Sequence, residues 1–279
     1  MIGRVLCAVL ALSLLGACSR APAAGTVPLD HLPALQGDYF RIASREVGRP
    51  YHIYVRYPQG YSPAAETRYP TVYLLDGDSL FPLLATSHLF FHLDEQLPEA
   101  IVVGIAYGSF DPAVNRRDVD YTGPAEGLAP AKAGGAAFHN FLKKELLPEV
   151  ERRYRADPAR RVLFGQSRGG SFVLYSAFTD PDLFWGRIAS NPAFEPGREL
   201  FFGKAPAAAR RDLGLVVTSG SRDKPLLRQG ALAWFREWQG RTDAPWTVEA
   251  RTIEGGTHAA DAPASYRAGM LWLFRRGSR

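Results

Sequence analysis

The chain has 279 residues, with 33 Lys or Arg against 28 Asp or Glu, which gives a formal net charge of +5. Because this basic excess is small and the arginines are spread along the chain, the sequence argues against nucleic-acid binding, whereas an anionic substrate or membrane surface is favoured. The length suits one large α/β domain.

The N-terminus has the pattern of an export signal. Arg4 precedes an apolar run from Val5 to Leu15, which is shorter than the about 20 residues that a membrane-spanning helix needs. The run ends in Leu15-Gly16-Ala17-Cys18, which resembles the bacterial lipobox, where the chain is cut before the cysteine and the cysteine is acylated. The alternative is an ordinary secretory signal that happens to contain Cys18.

The lipobox resemblance implies a domain organisation. We expect a signal peptide at residues 1–17, a tether at 18–36 and an α/β domain at 37–279. The two cysteines are Cys7 and Cys18, and removal of the first leaves no disulfide partner. Acylation would anchor the protein in a bacterial cell envelope. By resemblance to sorted lipoproteins, the serine that follows Cys18 implies the outer membrane, with the protein facing the periplasm.

From Asp38 onward the pattern alternates strands and helices. Residues 38–44 and 50–57 predict an antiparallel hairpin. Short apolar runs then predict buried parallel strands at 71–75, 100–106, 161–164, 187–189, 213–218 and 246–252. Helical patterns cover 133–154, 168–178, 226–239 and 262–275. This alternation predicts an α/β fold in which helices cover both faces of a mostly parallel central sheet.

Two irregular stretches are long enough to carry function, residues 107–130 and 191–211. Each follows a predicted strand. In a parallel sheet both would emerge at the carboxyl edge, where ligands bind. The alternative is that each is a passive surface insertion.

A nucleophile motif stands directly after one of these strands. Gly165-Gln-Ser-Arg-Gly169 follows the apolar segment Val162-Leu-Phe164 and opens a helical pattern. This is the G-x-S-x-G elbow in its strand-turn-helix context, where glycines are needed because strand and helix approach closely. The sequence therefore predicts Ser167 as a nucleophile, the alternative being a simple strand-to-helix turn.

A serine hydroxyl needs a general base at neutral pH. In α/β hydrolases the chain order is serine, acid, histidine, and His258 is the one histidine after Ser167. Asp223, just past a predicted strand, is the preferred acid to orient that histidine. Glu254 and Asp261 stay open as alternatives.

The charge that develops on a substrate carbonyl oxygen also needs donors. The residue after the nucleophile usually supplies one backbone N–H, and the loop after the third strand supplies the other. These are Arg168 and, in the Leu74-Leu-Asp-Gly-Asp78 segment, Asp78, with Gly77 as the alternative. The Asp-Gly pair is also an ordinary turn signal.

Together these motifs resemble the putative-esterase family of α/β hydrolases, which includes siderophore esterases of the enterobactin and salmochelin type, esterase D-like enzymes and mycolyltransferases. The resemblance covers residues 37–277. It implies cleavage of a small-molecule carboxylic ester through an acyl-enzyme, without metal or organic cofactor. The segments that carry it are Tyr73-Leu-Leu-Asp-Gly-Asp78, Val103-Gly-Ile-Ala-Tyr107, Arg117-Asp-Val-Asp-Tyr-Thr122, Gly165-Gln-Ser-Arg-Gly-Gly170, Ala189-Ser-Asn-Pro192 and Gly256-Thr-His258.

Two departures from the family pattern bear on the substrate. Arg168 stands where relatives usually carry an apolar or aromatic residue, and its side chain could pair with an anionic group or point into solvent. Ser190-Asn-Pro192 replaces the Ser-Pro-Ser of many relatives. Several aromatic residues are expected either at the rim of the site or in the core, namely Phe81, Tyr121, Trp185, Phe194, Phe201 and Phe202.

The leading functional prediction is a serine esterase of the cell envelope, with siderophore trilactones as a candidate substrate. An acyltransferase would use the same residues but pass the acyl group to an alcohol. A third hypothesis is a ligand-binding lipoprotein that has kept a hydrolase scaffold without catalysis.

Overall fold

The computed structural model describes residues 32–276, so the predicted signal peptide, Cys18 and most of the predicted tether lie outside the described residues. Eight strands form one sheet in the order β1-β2-β4-β3-β5-β6-β7-β8. The hairpin partners β1 and β2 run antiparallel, β2 pairs antiparallel with β4, and the remaining neighbours pair in parallel. The strands are β1 Gly37–Ala43, β2 Pro50–Arg56, β3 Tyr69–Leu74, β4 Ile101–Ala106, β5 Ala156–Gln166, β6 Gly186–Ser190, β7 Leu213–Gly220 and β8 Trp246–Ile253.

Helices cover both faces of this sheet, which confirms the predicted α/β-hydrolase fold. They are α1 Gly77–Glu95, α2 Arg117–Asp120, α3 Gly135–Phe141, α4 Leu147–Arg153, α5 Arg168–Thr179, α6 Arg198–Phe201, α7 Pro225–Trp238 and α8 Ala262–Arg275. Alternate strand residues face opposite sides because successive side chains in a strand point in opposite directions. Val72 and Leu74 of β3 pack in the core that includes α1 and α8, whereas Tyr73 packs in the core of α3, α4, α5 and α7. Among the described helices, none is both long and apolar enough to cross a bilayer.

The helix predicted over residues 133–154 is interrupted. A π-helical segment, Leu142–Leu146, separates α3 from α4. Pro148, the second residue of α4, has no backbone N–H and its ring excludes the carbonyl four residues earlier from a regular α-helical bond. The wider π-helical turn before α4 is the local response to that proline.

Helix α1, with 19 residues, has little signal in the sequence. Its start, Asp76-Gly-Asp78, has the composition of a turn, and Pro82 lies inside it. Its apolar residues are also spread around the helix rather than along one stripe, because Phe90 and Leu93 are exposed while Leu84 is buried. The 3.6-residue periodicity that identifies an amphipathic helix is therefore weak.

The folded domain begins before the predicted boundary at residue 37. Pro33–Leu35 form a short 3-10 helix, and Leu35 packs on the core that includes α1 and α8. The Arg56 Nε–H donates to the carbonyl oxygen of Ala34, and the Tyr57 N–H donates to that of Gln36. Residues 33–36 belong to the domain rather than to a tether, because their carbonyl groups accept hydrogen bonds from Arg56 of β2 and from Tyr57, the residue after it.

One buried histidine in this core predicts a pH-dependent stability. His88 of α1 is fully buried, with Nδ1 3.0 Å from the Tyr266 hydroxyl and Nε2 3.3 Å from the Pro98 carbonyl oxygen. Burial, reinforced by the charge of Arg56, lowers the pKa of His88 to about 4. Between pH 4 and the ordinary histidine pKa, the unfolded chain therefore binds a proton that the folded chain excludes.

We therefore expect the free energy of unfolding to be about 2 kcal/mol lower at about pH 5 than at about pH 7.5 because of His88. Urea unfolding of the native chain and of His88→Gln at both pH values measures the effect. The substitution should destabilise the protein at both, but the His88 contribution to the pH dependence should disappear. An equal pH dependence in the two proteins would show that His88 is not responsible.

Candidate active site

Ser167 lies in a sharp turn between β5 and α5. Its backbone has φ of 58° and ψ of −118°, an uncommon conformation for a residue with a side chain. The turn requires glycine at position 165, since a Cβ there would lie 2.4 Å from the carbonyl oxygen of Gly169. The Ser167 N–H donates to the Ser190 carbonyl oxygen at 2.9 Å, which holds the strained turn against the next strand.

The structure brings Ser167, His258 and Asp223 together from three different loops. The Ser167 hydroxyl lies 2.8 Å from His258 Nε2, and His258 Nδ1 lies 2.9 Å from Asp223 Oδ1. Because a carboxylate accepts, Nδ1 carries the proton and Nε2 is free to accept from the serine. The Asp223 side chain is 1% exposed, so water does not compete for this bond. This geometry fits a nucleophile, a base and an orienting acid.

The two alternative acids lie elsewhere. Glu254 is exposed. Asp261 is buried, and its Oδ1 accepts a hydrogen bond from Asn191 Nδ2 at 2.6 Å. Burial raises the pKa of Asp261 to about 6, and the nearby charge of Asp223 acts in the same direction. Asp261 therefore supports Asn191 instead of touching the imidazole.

Asn191 connects the loops that carry His258 and Asp223, and the sequence did not indicate these contacts. Its side chain is buried, and its backbone φ is 43°, a conformation that asparagine tolerates better than most residues. Its Nδ2 donates to the carbonyl oxygens of His258 at 3.0 Å and Thr257 at 3.3 Å, while its Oδ1 accepts from the Gly220 N–H at 2.7 Å. The departure at Ser190-Asn-Pro192 is the one sequence signal that could have singled it out.

We expect Asn191→Ala to lower kcat by about ten- to a hundredfold, because the loop carrying His258 would lose its fixed position relative to Ser167. Loss of these buried bonds should also lower the free energy of unfolding by about 1–3 kcal/mol. Ser265→Ala is the matched control, since it removes the buried bond that Thr218 donates to Ser265 without touching the His258 loop. Fluorophosphonate labelling rates of the two variants separate positioning from stability, and equal rates would contradict a positioning role.

The backbone N–H groups predicted to bind the oxyanion of the substrate lie at the starts of two helices. Gly77 and Asp78 begin α1, where the first N–H groups of a helix have no intrahelical partner. The N–H groups of Ser79 and Leu80 donate to the Asp76 carbonyl oxygen. The N–H groups of Gly77 and Asp78, the first two of the helix, are therefore the candidates to donate to a ligand. Asp78 lines the cavity that contains Ser167, while Gly77 lines the neighbouring cavity. The Arg168 N–H lies at the first turn of α5.

The cavity beside Ser167 has a volume of about 430 Å³. Apart from His258, its ionisable lining residues are Asp76, Asp78 and Arg117. The Arg117 guanidinium binds both Asp76 oxygens, at 2.7 and 3.0 Å, and Asp78 accepts from the N–H groups of Tyr107 and Gly108 at 2.8 and 2.7 Å. The basic excess of the whole chain is therefore not concentrated at this cavity, which the sequence could not have shown.

The other predicted site features divide between the cavity and the core. The Arg168 guanidinium donates to the Glu195 carbonyl oxygen, so it ties the loop of residues 191–211 to α5 rather than pointing freely into solvent. Among the aromatic residues, Phe81 lines a cavity next to the one that contains Ser167, and the Tyr121 hydroxyl accepts from the Asp76 N–H at 3.1 Å. Trp185 precedes β6 and therefore lies at the opposite edge of the sheet. Phe194 and Phe201 are buried in the core, and Phe202 packs against it.

Within residues 32–276, no group of three or more His, Cys, Asp or Glu residues is placed to hold a metal ion.

The fold and the contact between Ser167, His258 and Asp223 define a protein of the α/β-hydrolase class. The family described as Putative esterase matches residues 44–273, and the chain belongs to this family. This membership confirms the resemblance drawn from the motifs.

Two relatives are siderophore esterases by name. The chain is 33% identical over 179 residues to the ferri-bacillibactin esterase BesA of Bacillus subtilis, which covers 58% of this chain and 60% of that protein. It is 30% identical over 169 residues to the apo-salmochelin esterase of Escherichia coli, covering 57% and 52% respectively. The chain thus spans between half and two thirds of the length of these relatives.

Solved structures share the fold at lower identity. The siderophore hydrolase EstA from Aspergillus nidulans superimposes with a TM-score of 0.74 and 23% sequence identity, covering 89% of this chain and 97% of EstA. This likeness covers most of both chains and shows that they share the fold.

Proposed function

We propose that this protein is a serine esterase that cleaves carboxylic esters through an acyl-enzyme. The observation that carries the proposal is the chain of two hydrogen bonds from Ser167 through His258 to Asp223, at 2.8 and 2.9 Å. Membership of the esterase family supports it.

The reaction follows from this geometry. His258 Nε2 takes the Ser167 proton as the serine oxygen attacks the ester carbonyl, and Asp223 stabilises the imidazolium that forms. The N–H groups of Arg168 and Asp78 stabilise the tetrahedral oxyanion. As the carbon–oxygen bond to the alcohol breaks, His258 returns its proton to the leaving oxygen. A water then attacks the acyl-enzyme with His258 again as base, which releases the acid and restores Ser167.

We further propose a siderophore trilactone as the substrate class, because both relatives above are named for siderophore esters. The cavity charges favour the iron-free form. Its catechols are uncharged at neutral pH, whereas the iron complex is strongly anionic. The cavity lining has two carboxylates, Asp76 and Asp78, against one guanidinium, Arg117. Like charges in a shielded cleft repel such a ligand.

The test compares iron-free and ferric enterobactin-type trilactones with short alkyl esters, using a form of the protein without residues 1–18 and Ser167→Ala as the control. A kcat/KM for the iron-free trilactone that is orders of magnitude above that for the alkyl esters would support a siderophore esterase. Preference for simple esters would leave the serine esterase and remove the siderophore. Faster formation of a new ester than of free acid when an alcohol is added would instead identify a transferase.

We also propose that the protein is held at the bacterial outer membrane by lipid on Cys18, facing the periplasm. The support is the sequence Leu15-Gly-Ala-Cys18 after an apolar run. Expression with a labelled fatty acid should label the native chain and Cys7→Ser, in which the other cysteine is changed, but not Cys18→Ser. Label on Cys18→Ser, or none on the native chain, would contradict the anchor.

A further inference from the structure

A second cavity adjoins the one that contains Ser167. It has a volume of about 460 Å³, within the range of small-molecule sites, and is lined mainly by the side chains of Leu35, Tyr54, Phe81, Pro82 and Phe110. Asp78 and Phe110 line both cavities. The two spaces therefore meet at these residues, and we call the second one the aryl cavity.

The inner wall of the aryl cavity is a fixed pair of aromatic rings. The rings of Tyr54 and Phe81 are stacked, with centroids 5.6 Å apart and an interplanar angle of 29°. Phe81 lies directly against β4 at Gly104, where an added Cβ would be 2.6 Å from the Phe81 Cβ. Because the phenylalanine fills the space that a side chain at Gly104 would need, this wall is already formed without a ligand.

The outer wall is an aromatic ring that has little else to contact. Phe110 is 74% exposed although it is a large apolar residue. It stands in the segment after β4, at the border of the two cavities. Exposed rings of this kind gain most from a ligand that covers them.

The aryl cavity contains little charge. Asp78 is its one ionisable acid, and both of its carboxylate oxygens already accept hydrogen bonds from the backbone N–H groups of Tyr107 and Gly108. An apolar ring therefore meets no carboxylate that lacks hydrogen-bond partners there, whereas an anionic group would find no partner of opposite sign among the lining residues.

We propose that the aryl cavity is a specificity subsite that binds an aromatic ring, such as a benzoyl group, carried by the substrate close to the ester that Ser167 attacks. The ring lies between Phe110 and the Tyr54–Phe81 pair, and the contacts are stacking and apolar burial instead of ion pairs. This inference rests on the proposed esterase function, because it assigns part of the substrate of the same site.

The experiment uses two activated esters that differ only in the ring. These are the trifluoroethyl esters of N-benzoylglycine and N-acetylglycine, whose leaving group is not aromatic. The ratio of their kcat/KM values cancels any loss that is common to both. For Phe110→Ala we expect the benzoyl-to-acetyl ratio to fall about five- to tenfold, and Phe110→Trp should restore it.

Phe90→Ala is the matched control, since Phe90 is an exposed phenylalanine on α1 at 60% exposure that lines neither cavity. It should leave the ratio unchanged. An unchanged ratio in Phe110→Ala, or an equal fall in Phe90→Ala, would overturn the aryl subsite while leaving the esterase intact. Hydrolysis of neither ester by the native protein would overturn the proposed function itself.

Discussion

Ser167→Ala is expected to lower kcat for every ester substrate by about 10⁵- to 10⁶-fold, the loss that follows when the nucleophile of such a triad is removed. Without the serine oxygen no acyl-enzyme can form, although the backbone donors and the cavity remain. The alanine should also abolish labelling by a fluorophosphonate, which reacts with activated serines. Steady-state rates and labelling measured on the same preparation provide the two readouts.

The control for this variant is Ser87→Ala. Ser87 belongs to α1, which packs on the face of the sheet opposite to α5. Ser87 donates its hydroxyl proton to the Leu83 carbonyl oxygen and lines neither cavity, so both rate and labelling should stay at native levels. The fold of Ser167→Ala should also stay intact, which thermal unfolding checks. Turnover by a correctly folded Ser167→Ala protein would exclude the proposed nucleophile.

Asp223→Asn is expected to lower kcat by about 10⁴-fold with little change in KM. An amide in this position can present its N–H to His258 Nδ1, which favours the tautomer that has its proton on Nε2 and cannot accept from Ser167. Substrate binding does not depend on this proton, so the loss should appear in kcat. Initial rates over a range of substrate concentrations measure the split.

Asp261→Asn is the comparison that separates the two carboxyl groups. The variant keeps an oxygen for the bond from Asn191, and it removes a carboxyl group whose pKa is raised to about 6 by burial. We expect less than about a tenfold loss in kcat, because this side chain acts on the imidazole through Asn191. A larger loss in Asp261→Asn than in Asp223→Asn would reverse the assignment of the acid.

Short stretches of sequence were enough to predict the strands and the elbow. The apolar run Val162-Leu-Phe164 and the glycines around Ser167 lie within a few residues of one another, and steric demands between near neighbours determine their conformation. The same holds for the hairpin of β1 and β2 and for the helices α5, α7 and α8. Helix α1 was missed because its burial comes from packing between the sheet and α8, which leaves no periodic stripe in the sequence.

The sequence by itself therefore determined the α/β architecture, the elbow at Ser167 and the choice of His258, the single histidine after it. Only the tertiary structure shows which of Asp223, Glu254 and Asp261 contacts His258, since each is compatible with the chain order and the contact depends on which loop ends meet. It also placed Asn191 between those loops and Phe110 between two cavities. Such contacts join residues far apart in the chain, and the balance of packing and hydrogen bonding across the whole sheet determines them.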